Sequence, residues 1–405
     1  MVRELGISLY LFVFRILFNL FKLCPQRKKT VSVASFGDNI FYTARSLREL
    51  SDEDIIILKG SSCRYEFDPS IGYVVPFDLK RPIAYLQSIY HLATATTILV
   101  DTYYGFLAAA KFKKGTNCVQ LWHAAGAIKQ FGLLDPSIEN RTPNAKDRFQ
   151  KVYDNFHYCV AGSEKMATIF KKSFGLTDDR IIRTGTPRTD ILFDSGKQQH
   201  IYQDLVNKYP AIKGKKIMLY APTFRANQLS NIQFELDIKK LYEQLSDDYA
   251  LLVKAHPAVN FTLSDAYKDF AFDVSDVKDT NSLLLVVDLL ITDYSSIPFE
   301  YALLEKPMIF FAYDMEEYEI TSGLMPDFEN QMPGPVVFST EAIIRAVKQN
   351  AFDKKQIQAF AAKWNEYSDG KASLKLAKVL LGIEEKEKAA VSNKLSQQVQ
   401  IGDTK

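Results

Sequence analysis

At 405 residues, with 47% hydrophobic and 24% charged side chains, the chain is large and apolar enough for two buried cores and unsuited to wholesale disorder. Its 50 basic and 48 acidic residues leave a formal charge of +2, so it is no general polyanion binder; nucleic acid is not an expected partner, and any phosphate affinity must come from local arrangement. The four cysteines, Cys24, Cys63, Cys118 and Cys159, are far apart with no CxxC pairing, which argues against a disulfide framework or zinc site and fits a reducing cytoplasm.

The most apolar stretch comes first, LGISLYLFVFRILFNLFKLC from Leu5. Pro25, Gln26, Arg27, Lys28 and Lys29 follow it in place of a small-residue cleavage site, so a cleaved signal is not expected. The stretch approaches the ~20 residues needed to span a bilayer, but Arg15 would sit near the centre at a cost of at least ~2.5 kcal/mol. On a helix, Ser8, Arg15, Asn19 and Lys22 share one face and the remainder is Leu, Ile, Val and Phe. A broad apolar face, a narrow polar stripe and a terminal basic cluster predict an in-plane membrane helix over residues 1–29. A helix packed on the core is the alternative.

From residue 30 onward, short β-branched runs alternate with amphipathic stretches, the pattern of βαβ units around parallel sheets. Strands are expected at Thr30–Ser35, Ile55–Leu58, Thr96–Asp101, Asn117–Trp122, Tyr158–Ala161 and Arg180–Arg183. Residues 194–215 are polar and read as a break. Strands resume at Lys216–Tyr220, Ala250–Val253, Ala271–Val274, Leu289–Thr292 and Met308–Ala312, with helices at Asn281–Val287 and Ile297–Leu304. The expected organisation is two doubly wound α/β domains, 30–200 and 201–383, binding ligands at the carboxyl ends of their strands, with a fraying tail at 384–405.

Three motifs follow strand ends. His123 begins His123-Ala124-Ala125-Gly126-Ala127-Ile128-Lys129, whose small residues admit close backbone approach; a neutral imidazole there can take the proton of an attacking hydroxyl, although a histidine ending a buried strand is often structural. In the second half, Lys216–Tyr220 runs into Ala221-Pro222-Thr223-Phe224-Arg225, and Ala250–Val253 into Lys254-Ala255-His256-Pro257. Leu289–Thr292 runs into Asp293-Tyr294-Ser295-Ser296 and a helix start, where free N–H groups and two hydroxyls suit a phosphate, or where a serine merely caps the helix. Cations at converging strand ends point to a diphosphate. No Walker loop, GxGxxG or HExxH is present, and Asp101 and Asp293 read as isolated carboxylates, so neither a metal nor another cofactor is expected.

LWHAAGAIKQFG (121–132), AGSEKM (161–166), GTPRTD (185–190), YAPTFR (220–225), KAHP (254–257), TDYSSIPFEYALLEKPMIFFAYDMEEY (292–318), PGPVV (333–337) and DGKAS (369–373) resemble the CDP-glycerol glycerophosphotransferases of teichoic acid synthesis. The resemblance covers roughly residues 95–375. It implies a GT-B-like fold, two Rossmann-type domains with the active site in the cleft, and attack of an acceptor hydroxyl on the donor β-phosphate with CMP leaving and no metal. It places the general base on His123 and the donor pyrophosphate at His256, Arg225, Ser295 and Ser296, which makes His123 and His256 the catalytic candidates; Lys254 and Asp293 at the strand ends, with Thr186, Pro187 and Arg188 of GTPRTD, complete the substrate-binding candidates. The family's polymerases read WHGTPLK where this chain has Trp122-His123-Ala124-Ala125-Gly126-Ala127-Ile128-Lys129, a form closer to the primases, which act on an undecaprenyl-diphosphate-linked disaccharide; the short chain agrees. The implied partners are CDP-glycerol, that lipid-linked acceptor, the cytoplasmic face of the membrane and other teichoic acid synthesis enzymes. The alternatives are a glycerol- or ribitol-phosphate polymerase, a GT-B nucleotide-sugar glycosyltransferase or epimerase, and an inert membrane-recruited scaffold of the same fold.

Overall fold

The computed structural model describes residues 2–223, 225, 235–256, 259 and 261–383. The expected tail at 384–405, and Phe224 and Pro257 of two motifs, lie outside the described residues.

The first half runs α1 (Val2–Phe21), β1 (Arg27–Ala34), α2 (Asp38–Leu50), β2 (Asp54–Gly60), β3 (Tyr73–Phe77), α3 (Pro82–Thr94), β4 (Ala95–Val100) and β5 (Asn117–Gln120). It continues through α4 (Pro143–Asp154), β6 (Tyr158–Val160), α5 (Glu164–Phe174) and β7 (Ile181–Ile182), and α6 (Ser195–Lys208) leads out of it. The second half runs β8 (Lys216–Ala221), α7 (Ile238–Leu245), β9 (Tyr249–Val253), β10 (Ala271–Asp273), α8 (Thr280–Leu284), β11 (Leu289–Thr292), α9 (Ile297–Tyr301) and β12 (Met308–Phe311). It closes with α10 (Met315–Ser322), α11 (Phe328–Gln331), β13 (Val336–Val337), α12 (Thr340–Lys348), α13 (Lys354–Trp364) and α14 (Ala372–Leu381).

Two parallel sheets result, ordered β3-β2-β1-β4-β5-β6-β7 and β10-β9-β8-β11-β12-β13. Their central strands are buried along most of their length because helices cover both faces, which is why β8 and β11 read as near-continuous apolar runs rather than alternating ones. Each sheet reverses its strand order once, between β1 and β4 and between β8 and β11. Such reversals open a crevice at the carboxyl ends of the strands, where doubly wound folds take their ligands.

Two strands were not anticipated. β3 contains Pro76, and β13 is two residues long beside Pro335; both lie at sheet edges, where a missing N–H is tolerated. The polar break at 194–215 contains α6, begun by Asp194, whose carboxylate accepts the Lys197 N–H, so the expected boundary at 200/201 falls inside a helix. α14, expected with the second half, packs instead on α2 of the first.

α1 has two apolar faces. Phe14 and Phe18 are buried against Phe106 and Phe112, Tyr10 hydrogen-bonds the Tyr85 hydroxyl of α3 at 2.8 Å, and Glu4 pairs with Arg148 at 3.1 Å. Diametrically opposite, Leu5, Leu9, Phe12, Ile16 and Leu20 are exposed, and Ser8, Arg15 and Asn19 lie on the flank between the two faces.

Candidate functional site

The first wall of the crevice is organised by Asp101, which directly follows β4 and is fully buried. Its carboxylate accepts the backbone N–H groups of Ser35 (3.0 Å), Phe36 (2.9 Å) and Gly37 (2.9 Å) and the Tyr104 hydroxyl (2.7 Å). That arc of donors requires the turn after β1 to curl inward, and Gly37 takes φ +96° to allow it. Burial pushes Asp101 up to about 6 against these four donors, which pull it down. The sequence reading of Asp101 as an isolated carboxylate therefore misses its role as the hub of this turn.

His123 completes the wall. The preceding Trp122 sits in the left-handed region at φ 59°, pinned by the Gln120 side chain accepting its N–H (2.8 Å) and by Asn39 donating to its carbonyl (2.9 Å). The imidazole lies flat against the Phe36 ring at 4.1 Å, and its Nδ1 is 3.1 Å from the Asp101 carbonyl oxygen. A carbonyl only accepts, so Nδ1 carries the proton and Nε2 carries the lone pair. Burial pushes His123 down to about 4, the Arg188 charge acts in the same direction, and the Asp101 carbonyl and Asp38 oppose them. The imidazole is thus held neutral, with Nε2 unprotonated, throughout the neutral range.

The second wall forms at the other reversal. Arg225, buried, donates from Nε and Nη2 to both oxygens of Asp314 (2.8 and 3.0 Å), from Nη2 to Asp293 (2.9 Å) and from Nη1 to the Thr223 carbonyl (2.7 Å). Its guanidinium lies 4.6 Å from the Tyr318 ring centre and 5.2 Å from that of Tyr294, and those two rings stack at 3.9 Å. Lys129, at the end of the His123 loop, reaches across to the same Tyr318 ring at 4.7 Å. Burial lowers the Lys129 pKa, the neighbouring Arg225 adds to that, and Asp293 opposes both.

Lys254 and His256 stand at the end of β9, beside β8. Lys254 donates to the Val277 carbonyl at 2.6 Å, and His256 is exposed. Partial desolvation and then the Arg64 charge lower the His256 pKa. Ser295 accepts the Ile297 N–H at 3.2 Å, and Ser296 stands at the start of the five-residue α9 without capping it through its side chain. Both serines are partly exposed.

The two halves meet through the His123 loop. A Cβ at Gly126 would come within 2.1 Å of the buried Phe299 ring, and Met325 N–H donates to the Ile128 carbonyl at 2.7 Å. Gly126→Ala is therefore expected to force the loop off α9, costing about 1–3 kcal/mol as overpacking does. A thermal melt together with turnover checks this; an unchanged melting temperature would contradict the contact.

Thr186 and Pro187 are buried in a joint with the C-terminal helices. Gly185, at φ +91°, has the Tyr367 carbonyl where a Cβ would stand (2.6 Å), and Asp190 accepts the N–H groups of Ala372 (2.8 Å) and Ser373 (2.9 Å), capping α14. The GTPRTD and DGKAS motifs are two sides of this one joint. Arg188 projects from it toward Asp38 (2.8 Å) and Glu300. The structure thus gathers Arg225 with Asp293 and brings His123 near Arg188, while Thr186 and Pro187 contact protein groups.

Sequence reasoning gave no role to Glu300, Asp314, Tyr318 or Lys129. All four lie inside the quoted motifs, but a carboxylate in a short helix looks like a surface charge until its partner is placed. Among the described residues, no three His, Cys, Asp or Glu side chains are grouped so as to hold a metal ion.

A family model described as CDP-Glycerol:Poly(glycerophosphate) glycerophosphotransferase matches residues 70–382. The teichoic acid glycerol-phosphate primase of Bacillus subtilis (strain 168) is 35% identical, over 93% of this chain and 97% of its own length. The teichoic acid poly(ribitol-phosphate) polymerase of Bacillus spizizenii is 34% identical, over 95% of this chain and 61% of its own. The structure of the wall teichoic acid polymerase TagF superposes with a TM-score of 0.77 at 23% identity, over 96% of this chain and 99% of that one, so the two share the GT-B-like fold.

Proposed function

This chain belongs to the CDP-glycerol:poly(glycerophosphate) glycerophosphotransferase family, and from that premise we propose that it acts as a primase. It transfers glycerol phosphate from CDP-glycerol to an undecaprenyl-diphosphate-linked disaccharide and releases CMP. The enzyme class, a phosphotransferase for substituted phosphate groups in teichoic acid synthesis, follows from the family; the donor and the acceptor are the proposal.

The observation that carries it is the fixed tautomer of His123, with Nδ1 on the Asp101 carbonyl and Nε2 unprotonated, on the loop that also brings Lys129 to the Arg225 cluster. In the step proposed, Nε2 takes the proton of an acceptor hydroxyl while its oxygen forms the new bond to the β-phosphorus. The bond from that phosphorus to the bridging oxygen breaks, and CMP departs with the electron pair. Arg225, Lys129 and Lys254 supply positive potential for the diphosphate, and His256, Ser295 and Ser296 supply hydrogen bonds. Arg225 already has two carboxylate partners, so a phosphate gains its fork only as Asp314 yields. The loop sequence from Trp122 to Lys129 supports primase over polymerase. Near-equal identity to a poly(ribitol-phosphate) polymerase keeps ribitol-phosphate transfer as the second reading.

The test offers CDP-glycerol, CDP-ribitol and UDP-N-acetylglucosamine in turn with the lipid-linked disaccharide and measures the released nucleotide. CMP from CDP-glycerol is the expected result; release of UDP would sink the reading.

The outward face of α1 supports attachment at the cytoplasmic membrane surface, with the helix lying in plane. A spanning pose would pull Phe14 and Phe18 out of their core contacts, whereas the opposite face can enter the interface without disturbing them. Leu9 and Ile16 are 62% and 52% exposed, so Leu9→Asp with Ile16→Asp is expected to abolish flotation with anionic phospholipid vesicles and leave the melting temperature unchanged. Retained flotation would remove α1 from the membrane contact.

A further inference from the structure

We infer that Glu300 and Arg188 are positioning residues that lock the His123 loop onto the donor half, and that Arg188 is not a donor contact. Glu300, on α9 directly after the Ser295–Ser296 pair, is 1% exposed. Its Oε1 accepts the Ala125 N–H, two residues beyond His123, at 3.0 Å, and also accepts Nε (3.0 Å) and Nη2 of Arg188. The remaining arm of Arg188 donates to Asp38 at 2.8 Å.

The Arg188 backbone is enclosed in the same way. Its N–H donates to the Asn39 side-chain oxygen at 2.9 Å, its carbonyl accepts from Asn281 of α8 at 3.1 Å, and Asn39 in turn donates to the Trp122 carbonyl at 2.9 Å. One connected network therefore joins the start of α2, the residues either side of His123, the 185–190 turn, α8 and α9. It ties the general base to the helix that follows the phosphate seat. All three side-chain N–H groups that Arg188 directs at acceptors meet protein carboxylates, and one cation stands between two of them. The second Glu300 oxygen is buried without a hydrogen-bond partner among the described residues, so the carboxylate is held on one oxygen, where the loop and Arg188 converge.

A lock of this kind sets the distance from Nε2 to the donor phosphorus without touching either substrate. Misplacement of a reacting group by about 1 Å can cost on the order of 100-fold in rate. The inference rests on the transferase reading above, and its test separates the two. Glu300→Gln keeps the shape and an acceptor for Ala125 but removes the charge; Arg188→Lys keeps the charge but removes the fork. Each is expected to lower kcat about 10- to 100-fold with the CDP-glycerol dissociation constant within about twofold of the native value.

The His123 imidazole titration, followed by NMR, needs no turnover. Arg188 and Asp38 face it with opposite charges, and its other polar neighbour, Asp101, is unchanged in the variants. Arg188→Gln is expected to raise the His123 pKa and Asp38→Asn to lower it; Asp38 is 22% exposed, so the second variant tests the lock even if the first fails to fold. CDP-glycerol affinity falling in step with kcat would make Arg188 a donor contact and overturn the inference, as would unchanged kcat in both Glu300→Gln and Arg188→Lys or an unmoved titration. Absence of CMP release by the native enzyme would instead defeat the transferase reading, and the titration would still decide the lock.

Discussion

Replacing His123 with alanine is expected to lower turnover by roughly 100- to 10,000-fold, the range of a general base, while CDP-glycerol binding persists. The expectation follows from what the imidazole touches. Its contacts are Phe36, Trp122 and the Asp101 carbonyl, all in the first half, whereas the phosphate seat proposed above would be built from residues that follow β8, β9 and β11 of the second. The variant therefore removes the proton acceptor and leaves the donor wall intact. The pH profile carries independent information. A general base works unprotonated, and His123 is pushed down to about 4 by burial, so native kcat should stay level through mild acid and fall only as pH approaches that value. An acid limb near the ordinary histidine value of about 6.5 would mean the ring is more solvated than its packing implies. Near-normal turnover in His123→Ala would remove it as the base.

Arg225→Ala is expected to damage both stability and donor binding. Asp293 and Asp314 share this one guanidinium, and Asp293 is almost fully buried. Removing one member of a buried ion pair typically costs 3–5 kcal/mol, because the remaining charge stays unpaired. For a domain of this size that corresponds to a melting temperature lower by roughly 6–20 °C. The stacking of the guanidinium with Tyr294 and Tyr318 is lost as well. Arg225→Lys separates the effects: an ammonium restores charge near one carboxylate but cannot fork between Asp314 and a phosphate, so stability should recover in part and donor affinity should not. Unchanged stability in Arg225→Ala would contradict the triad, and unchanged donor affinity in Arg225→Lys would take Arg225 out of the seat.

The sheets were legible because parallel strands buried on both faces leave unbroken apolar runs, as in Ile55–Leu58 and Leu289–Thr292. What escaped was short or polar: β13 with two residues, β3 with its proline, and α6, whose composition resembles a linker. Strand ends followed by unusual residues marked His123, Arg225, Lys254 and Asp293 as candidates, since ligands gather at such ends in doubly wound folds. The partners that give these residues their chemistry were not visible. Arg188 and Glu300 are 112 positions apart, and Arg188 and Asp38 are 150 apart; no local pattern encodes such pairs. Gly126 read as room for a ligand, yet the space beside it is filled by Phe299. The N-terminal helix shows the same limit. Its apolar circumference was plain, but only the fold shows that Phe14 and Phe18 dock while Leu9 and Ile16 face outward.

The most direct test is the mass of the lipid product formed from CDP-glycerol and an undecaprenyl-diphosphate-linked disaccharide. A primase working as described adds a single glycerol phosphate and releases one CMP for each acceptor consumed. A ladder of products would contradict the choice of acceptor, and an unmodified acceptor with no CMP would contradict the transfer itself.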